Sequence, residues 1–286
     1  FMSNEYLSNS DSKDLLSIGL PVYNCEEYIS KAIESVLDQE LSNFEIIISD
    51  NASTDNTGNI CKKYEKISRN ISYTRQDTNI GAIENFKFVL NKSKGEYFIW
   101  LASDDMFFNI NFKKAIALLK NNRSISAVSF KSVFLTSKGD VEDRCNEGLL
   151  GSVCNRLLRL ALNPGANSRF YSLYRLKDIS LVFNSRNFDF FGSDVIVSFM
   201  VAKMGKWVHF PDSTMHRRLG SSSNPIKLRK NYGMSKLNII FPSPKYLILI
   251  AKNIAFPCIV VCAPALILLY IRVIISPIKH YLTNLK

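Results

Sequence analysis

"FEIIISDNASTDNT", residues 44–57, carries the reading that decides the fold. A short apolar run predicts a buried strand over 44–49, the polar tract from Asp50 a loop, and Ile60, Cys61 and Tyr64 the apolar face of a helix. The same sequence of events recurs on both sides. "LLSIGLPV" (15–22) predicts a strand ended by Pro21 and the turn "YNC", and Ile29, Ala32, Ile33, Val36 and Leu37 then follow at helical spacing. "ISYTR" (71–75) predicts a third strand, followed by "QDTNIG" and a helix with Ile83, Phe86 and Leu90; "EYFIWL" (96–101) predicts a fourth. Alternation of strand and helix through short polar loops predicts an α/β fold with a parallel sheet. Beyond residue 110 the pattern loosens: a helix near 112–121, a strand over 125–135, a basic helical segment over 153–162, and a helix over 194–205 with Ser193 or Asp194 as its N-cap.

Ligands of open parallel sheets bind beyond the carboxyl ends of the strands. Tyr23 and Asn24, Asp50 and Asn51, Asn79 and Gly81, and Asp104 and Asp105 occupy those positions in turn. The last pair sits in "YFIWLASDDMF" (97–107), where two adjacent carboxylates repel each other directly after a buried strand. A solvated turn and an oxygen-ligand site for a divalent cation both account for them. A cation in such a crevice suits a diphosphate leaving group. There is no GxxxxGK[ST], which argues against a P-loop nucleotidase, and no GxGxxG after the first strand, which argues against a dinucleotide dehydrogenase.

The net charge of +11 suggests nucleic-acid binding until its distribution is read. Residues 1–200 hold 23 Lys/Arg against 24 Asp/Glu, whereas residues 201–286 hold 13 against Asp212 alone. The excess accompanies the most apolar tract, Tyr246 to Ser276. Between Lys252 and Arg272 lie 19 uncharged residues. As a helix they would span about 28 Å against a hydrocarbon core of roughly 30 Å. Pro257 and Pro264 interrupt this tract, so a bent span, a re-entrant hairpin and a buried core helix are all open readings of 253–271. The heavier positive flank, from Lys227 to Lys252, places the rest of the chain on the cytoplasmic side and offers a contact for anionic lipids; no nucleic-acid partner is expected. The N-terminal residues lack an apolar signal core, and the six cysteines, without a CxxC pair, read as reduced thiols.

"SIGLPVYNCEEYISKAIESVLDQ", "FEIIISDNASTDNT", "NIGAIENF" and "GEYFIWLASDDMF" together resemble the ordered motifs of family 2 glycosyltransferases, strongly over residues 15–110 and weakly to about 222. The resemblance implies the GT-A nucleotide-diphospho-sugar transferase fold, with a mixed, mainly parallel sheet, to which the tail would add C-terminal membrane-associated helices. It implies that Pro21 and Tyr23 line the base and ribose pocket, that Asp50 recognises the base, and that Asn51 stands where many members carry a second Asp. Asn79 and Gly81 belong to the same donor site. It implies Asp105 as the main ligand of Mn2+ or Mg2+ and Asp104 toward the sugar, with "SDD" in place of Asp-x-Asp. "FFGSDVIVSFMVAKMGK" resembles the segment bearing the catalytic base, which gives Asp194, also a plain N-cap. "MHRRLGSSSN" (215–224) resembles the segment that closes over the diphosphate, with His216 as a further metal ligand and Arg217 and Arg218 on phosphate, and the small polar run after them suits a mobile loop. "NSRFYSLYR" (167–175) resembles an acceptor-flanking segment, for which core packing is an equal account.

The organisation expected is a disordered segment over 1–14, the catalytic domain over 15–222, a basic linker over 223–245 and a membrane-associated region over 246–286. The function expected is inverting transfer from a nucleotide-diphospho-sugar, UDP being the favoured nucleotide, to a hydroxyl of a lipid-linked or membrane-held glycan in surface polysaccharide assembly, at the cytoplasmic face of the membrane. A polyprenyl-phosphate glycosyl synthase, and a catalytically inactive nucleotide-binding membrane scaffold, are the alternatives.

Overall fold

The structure, a computed structural model, describes residues 14–136, 139–143, 145–166, 168–185, 193–218, 258 and 262–268. Along the chain the elements are β1 (Leu16–Val22), α1 (Ile29–Leu37), β2 (Phe44–Asp50), α2 (Thr57–Ile67), β3 (Ile71–Arg75), α3 (Ala82–Lys92), β4 (Tyr97–Trp100), β5 (Met106–Phe108), α4 (Phe112–Asn121), β6 (Ile125–Leu135), β7 (Val141–Glu142), α5 (Val153–Leu162), a 3-10 turn (Ser168–Tyr171), β8 (Leu173–Arg175), α6 (Leu176–Asn184), α7 (Ser193–Met204) and β9 (Lys206–Arg218). They form two compact units. The first comprises residues up to Asn121 together with Leu173–Ser185, and the second comprises Asn122–Ser172 and the chain from Arg186.

In the first unit the strands run in the order β3-β2-β1-β4-β8, the first four parallel and β8 antiparallel to β4. Every residue of β1 and β4 is buried, as expected of inner strands covered on both faces. The periodic residues of α1, Ile29, Ala32, Ile33 and Val36, turn inward and are fully buried. Trp100 at the end of β4 locks this core: its ring lies 4.7 Å from Phe98 and 5.2 Å from Phe183, and its Nε1 donates to the Phe86 carbonyl at 3.2 Å. Burial of such an indole is compatible with stability because its one donor is satisfied. Val22, Asp50 and Arg75 are in register, so β1, β2 and β3 all end at one level and deliver their loops together.

In the second unit β6 pairs in parallel with β9 and antiparallel with β7. The β6–β9 ladder slips between Phe130 and Lys131, where Phe210 is followed by Thr214 as the next partner, so Pro211, Asp212 and Ser213 form a bulge. Proline belongs there because it cannot donate to the ladder. Helix α7 is apolar on nearly all sides, with Ile196, Val197, Phe199, Val201 and Ala202 buried.

Two expectations change. The tail was expected to form membrane-associated helices, but among the described residues no helix is long and apolar enough to cross a membrane. What is described of it is Cys258 and a short helical segment at 262–268, in which Cys262, Ala265 and Leu266 are buried while Ile267 and Leu268 are exposed. The cysteines are not all thiols, because Cys154 of α5 and Cys258 form a disulfide across 104 positions, a proximity that sequence spacing cannot reveal. His216, Arg217 and Arg218, expected in the segment that closes over the diphosphate, are the end of β9, held by pairing with β6, and the small polar run after them, expected as a mobile loop, lies outside the described residues. Residues 1–13 and 219–245 lie outside the described residues.

Candidate active site

The loops after β1 and β2 are stapled to each other. Asn24, in the left-handed region at φ 46°, donates its amide to Ser53 Oγ at 2.9 Å and accepts from the Thr54 amide on its side-chain oxygen at 2.8 Å. The Glu26 amide donates to Asp55 and the Asn56 amide to Glu26, a reciprocal exchange. The Cys25 amide donates to Thr57 Oγ1 at 2.8 Å, and its thiol to the Ser103 carbonyl at 3.4 Å, which ties these loops to the acidic turn after β4. Burial would raise the pKa of Asp55, but hydrogen bonds from Thr57 and Glu26 outweigh it and hold the group below its ordinary value. Tyr23, at the tip of the first loop, is 49% exposed and presents a flat ring to solvent. Pro21 lies within β1, opposite Ser49.

Asp50 is fully enclosed. One carboxylate oxygen accepts from the Ser53 amide at 2.8 Å; the other accepts from Tyr73 Oη at 2.8 Å and faces Arg75 Nη1 at 3.4 Å. Burial, and then the Asp50 carboxylate, push the Tyr73 hydroxyl pKa up, so it stays a donor at neutral pH. Asn51 is 3% exposed and reaches across to the loop after β3. Its amide nitrogen donates to Asn79 Oδ1 at 3.0 Å and to the Gly81 carbonyl at 3.2 Å, and its oxygen accepts from the Ile80 amide at 2.8 Å. Gly81 has φ 86°, a conformation that side chains rarely adopt, and it begins α3 there. Buried Asn85, one turn into α3, donates to the Ser49 carbonyl at 2.9 Å and accepts from Ser49 Oγ at 2.6 Å.

After β4 the chain turns at once, with the Asp105 amide donating to the Ala102 carbonyl at 3.0 Å. Asp105 is 1% exposed and Asp104 partly exposed. Among the described residues no group of three or more His, Cys, Asp or Glu is placed to hold a metal ion. Two successive carboxylates are oxygen donors of the kind that a hard cation such as Mg2+ takes.

The other expected residues belong to the second unit. Asp194 is exposed in the first turn of α7, where its carboxylate accepts from the Val195 amide at 3.0 Å. His216, Arg217 and Arg218 are successive residues of β9, opposite Val133, Phe134 and Leu135. Strand geometry therefore sends Arg217 to one face and His216 and Arg218 to the other. Arg217 packs over the rings of Tyr171 at 4.5 Å and Phe134 at 5.3 Å. The structure thus joins Asp50, Asn51, Asn79 and Gly81 with Tyr73, Arg75, Ser49 and Asn85, four residues that sequence reasoning missed. Tyr73 carried a signal only in hindsight, as a polar aromatic next to a strand-end acid; Ser49 and Asn85 look like ordinary strand and helix residues.

A parallel sheet with loops so arranged defines a class. The fold is that of the S. aureus TarS 1–349 crystal structure, with a TM-score of 0.57 at 17% identity over 93% of this chain and 91% of that one. It is also that of the mannosyltransferase PcManGT from Pyrobaculum calidifontis, with a TM-score of 0.53 at 12% identity over 92% and 86%. At such identities the likeness shows the GT-A type of fold. The chain belongs to glycosyl transferase family 2, whose model matches residues 17–182. Among curated proteins it is 36% identical over 107 residues to a Bacillus subtilis protein named as a teichuronic acid biosynthesis glycosyltransferase, TuaG, a match covering 37% of this chain and 42% of that protein. It is 35% identical over 92 residues to glycosyltransferase GlyA of Streptococcus pneumoniae, covering 32% of this chain and 13% of that one. The chain thus matches under half the length of these curated relatives.

Proposed function

We propose that this glycosyltransferase moves a sugar from a nucleotide-diphospho-sugar to a hydroxyl of a membrane-held glycan, with inversion at the anomeric carbon, in the assembly of a surface polysaccharide. The observation that carries the reading is the shared edge of β1, β2 and β3, where Asn51 fastens the Asn79–Gly81 loop beside an enclosed Asp50. TarS has been solved with UDP and with UDP-GlcNAc, and PcManGT with GDP-Man and Mn2+, which supports a nucleotide-sugar donor and a divalent ion. The likeness to TuaG supports a polysaccharide product.

The exposed Tyr23 ring offers a stacking surface for the base. Asp50, being enclosed, serves the base through the turn that it holds. Asp105 and Asp104 would hold Mn2+ or Mg2+, which when bound neutralises diphosphate charge. Arg217 supplies positive charge and donors for the departing diphosphate; His216, the proposed further metal ligand, and Arg218 lie on the opposite face of β9. Asp194 takes the acceptor hydroxyl proton as its oxygen bonds to the anomeric carbon and the carbon–oxygen bond to the diphosphate breaks. Its exposed carboxylate at a helix N-terminus is open to an acceptor. The cytoplasmic membrane face is the proposed location, resting on the basic, apolar tail.

The test is nucleotide release from UDP-, GDP- and dTDP-sugars with Mn2+, for the wild type, Asp105→Ala and Asp194→Ala. Turnover of one donor, lost in Asp105→Ala and reduced by about 100-fold or more in Asp194→Ala with acceptor present, is the expected result. Full acceptor-dependent activity of Asp194→Ala would remove it as the base, and no release from any donor would remove the catalytic reading.

A further inference from the structure

In the second unit a chain of contacts leads from a buried carboxylate to Arg217. Asp143, 6% exposed, accepts from Ser168 Oγ, from Cys145 Sγ at 3.1 Å, from the Cys145 amide at 3.3 Å and from the Ala166 amide at 3.1 Å. Burial alone would raise its pKa, yet these donors outweigh burial and keep it below the ordinary carboxylate value. Burial pushes the Cys145 thiol up to about 11, so it remains a donor. Gly165, at φ 60°, permits the arrangement: a Cβ there would stand 2.6 Å from Asp143 Oδ1. An ionised carboxylate can only accept, so the Ser168 proton is committed to it. Ser168 Oγ is then left as an acceptor, and Arg217 Nη1 donates to it at 2.8 Å. The Tyr171 and Phe134 rings hold the same guanidinium through cation–π contact.

We infer that Asp143 and Ser168 are positioning residues for Arg217. By fixing the polarity of one hydroxyl they fix the rotation of the guanidinium on its two rings, and so the direction in which it meets the diphosphate of the nucleotide. The inference rests on the reading of Arg217 as a diphosphate ligand. Its physical content is pre-organisation: the ordering of a long side chain is met on folding and not on binding. Nothing in the motif "MHRRLGSSSN" points to Asp143 or Ser168, which lie 74 and 49 positions before Arg217.

Calorimetry with UDP and with inorganic pyrophosphate, alongside thermal melting, tests this on the full chain. Arg217→Ala should weaken both ligands by about 10- to 100-fold. Ser168→Ala should weaken them by about 5-fold and lower kcat/KM for the donor by a similar factor, and Ser168→Thr, which keeps the hydroxyl, should restore wild-type values. Millimolar guanidinium should rescue part of the binding in Arg217→Ala but not in Arg217→Ala/Ser168→Ala, a response that a merely structural serine would not give. If Ser168→Ala does not fold, Ser168→Cys, a weaker acceptor, gives the same reading. Wild-type binding by Ser168→Ala, with Arg217→Ala impaired, overturns the positioning role and leaves Arg217 in place. Wild-type binding by Arg217→Ala overturns both. A silent donor panel with pyrophosphate binding that still depends on both residues leaves the inference standing and the catalytic reading fallen.

Discussion

At Asn51 a single atom decides the polarity of a loop. As an amide it donates to Asn79 and Gly81 and accepts from Ile80, and no rotation of an aspartate could do all three. The exchange of Asp for Asn relative to the family pattern is thus matched by its surroundings. At His209 burial sets protonation. Burial, with the Arg169 cation second, lowers its pKa to about 4, and its Nδ1 lies 3.1 Å from Ser129 Oγ. The sign follows from linkage: between pH 6.5 and 4 the unfolded chain binds a proton that the folded chain refuses. Stability from this group is complete above pH 6.5 and is lost as pH falls toward 4, by up to about 3 kcal/mol. Urea unfolding at pH 7.5 and at pH 5 should show a larger loss for the wild type than for His209→Gln. Equal losses would mean that other groups set the acid response.

At the scale of elements, what was legible followed from length and regularity. Strands β1 to β4 and the helices between them could be read because each apolar run is short, pure and flanked by polar turns. Strands β5 and β8 have three residues each, too few for alternation to register, and β8 was read as part of an acceptor segment. Strand β9 was missed because Pro211, Asp212 and Ser213 interrupt it, so the two halves of "KWVHFPDSTMHRR" keep different phase. Helix α6 did carry a signal, with Ile179, Val182 and Phe183 at helical spacing and buried, hidden by the aromatic segment before it. Of the site, the strand-end acids were legible by position, whereas their hydrogen-bond partners depend on register. The disulfide was invisible because it joins α5 to a residue 104 positions later. A loop of that size contributes about 4–5 kcal/mol in the chain-entropy account. Reductant should therefore lower the unfolding midpoint of the wild type in urea and leave Cys154→Ser unmoved. An unchanged wild-type midpoint would show that packing of α5 and not the crosslink holds the segment.

For the whole molecule the decisive quantity is the separation of charge along the chain. A balanced first 200 residues precede a last third with 13 cations against one carboxylate, interleaved with the most apolar tract. Two forces would act on that tract at a bilayer, attraction of Lys and Arg to anionic headgroups and burial of apolar side chains such as the exposed Ile267 and Leu268. They separate experimentally because only the first is screened: the Debye length falls from roughly 10 Å at 0.1 M salt to 3 Å at 1 M. Each cation near an anionic surface contributes about 1 kcal/mol, so several acting together dominate at low salt. Sedimentation of the full chain with phosphatidylglycerol vesicles should exceed that with phosphatidylcholine, and the difference should shrink as salt is raised. Equal, salt-resistant binding to both would assign the attachment to apolar insertion. Failure to bind either would remove the membrane from the proposed function and point to an acceptor met in solution.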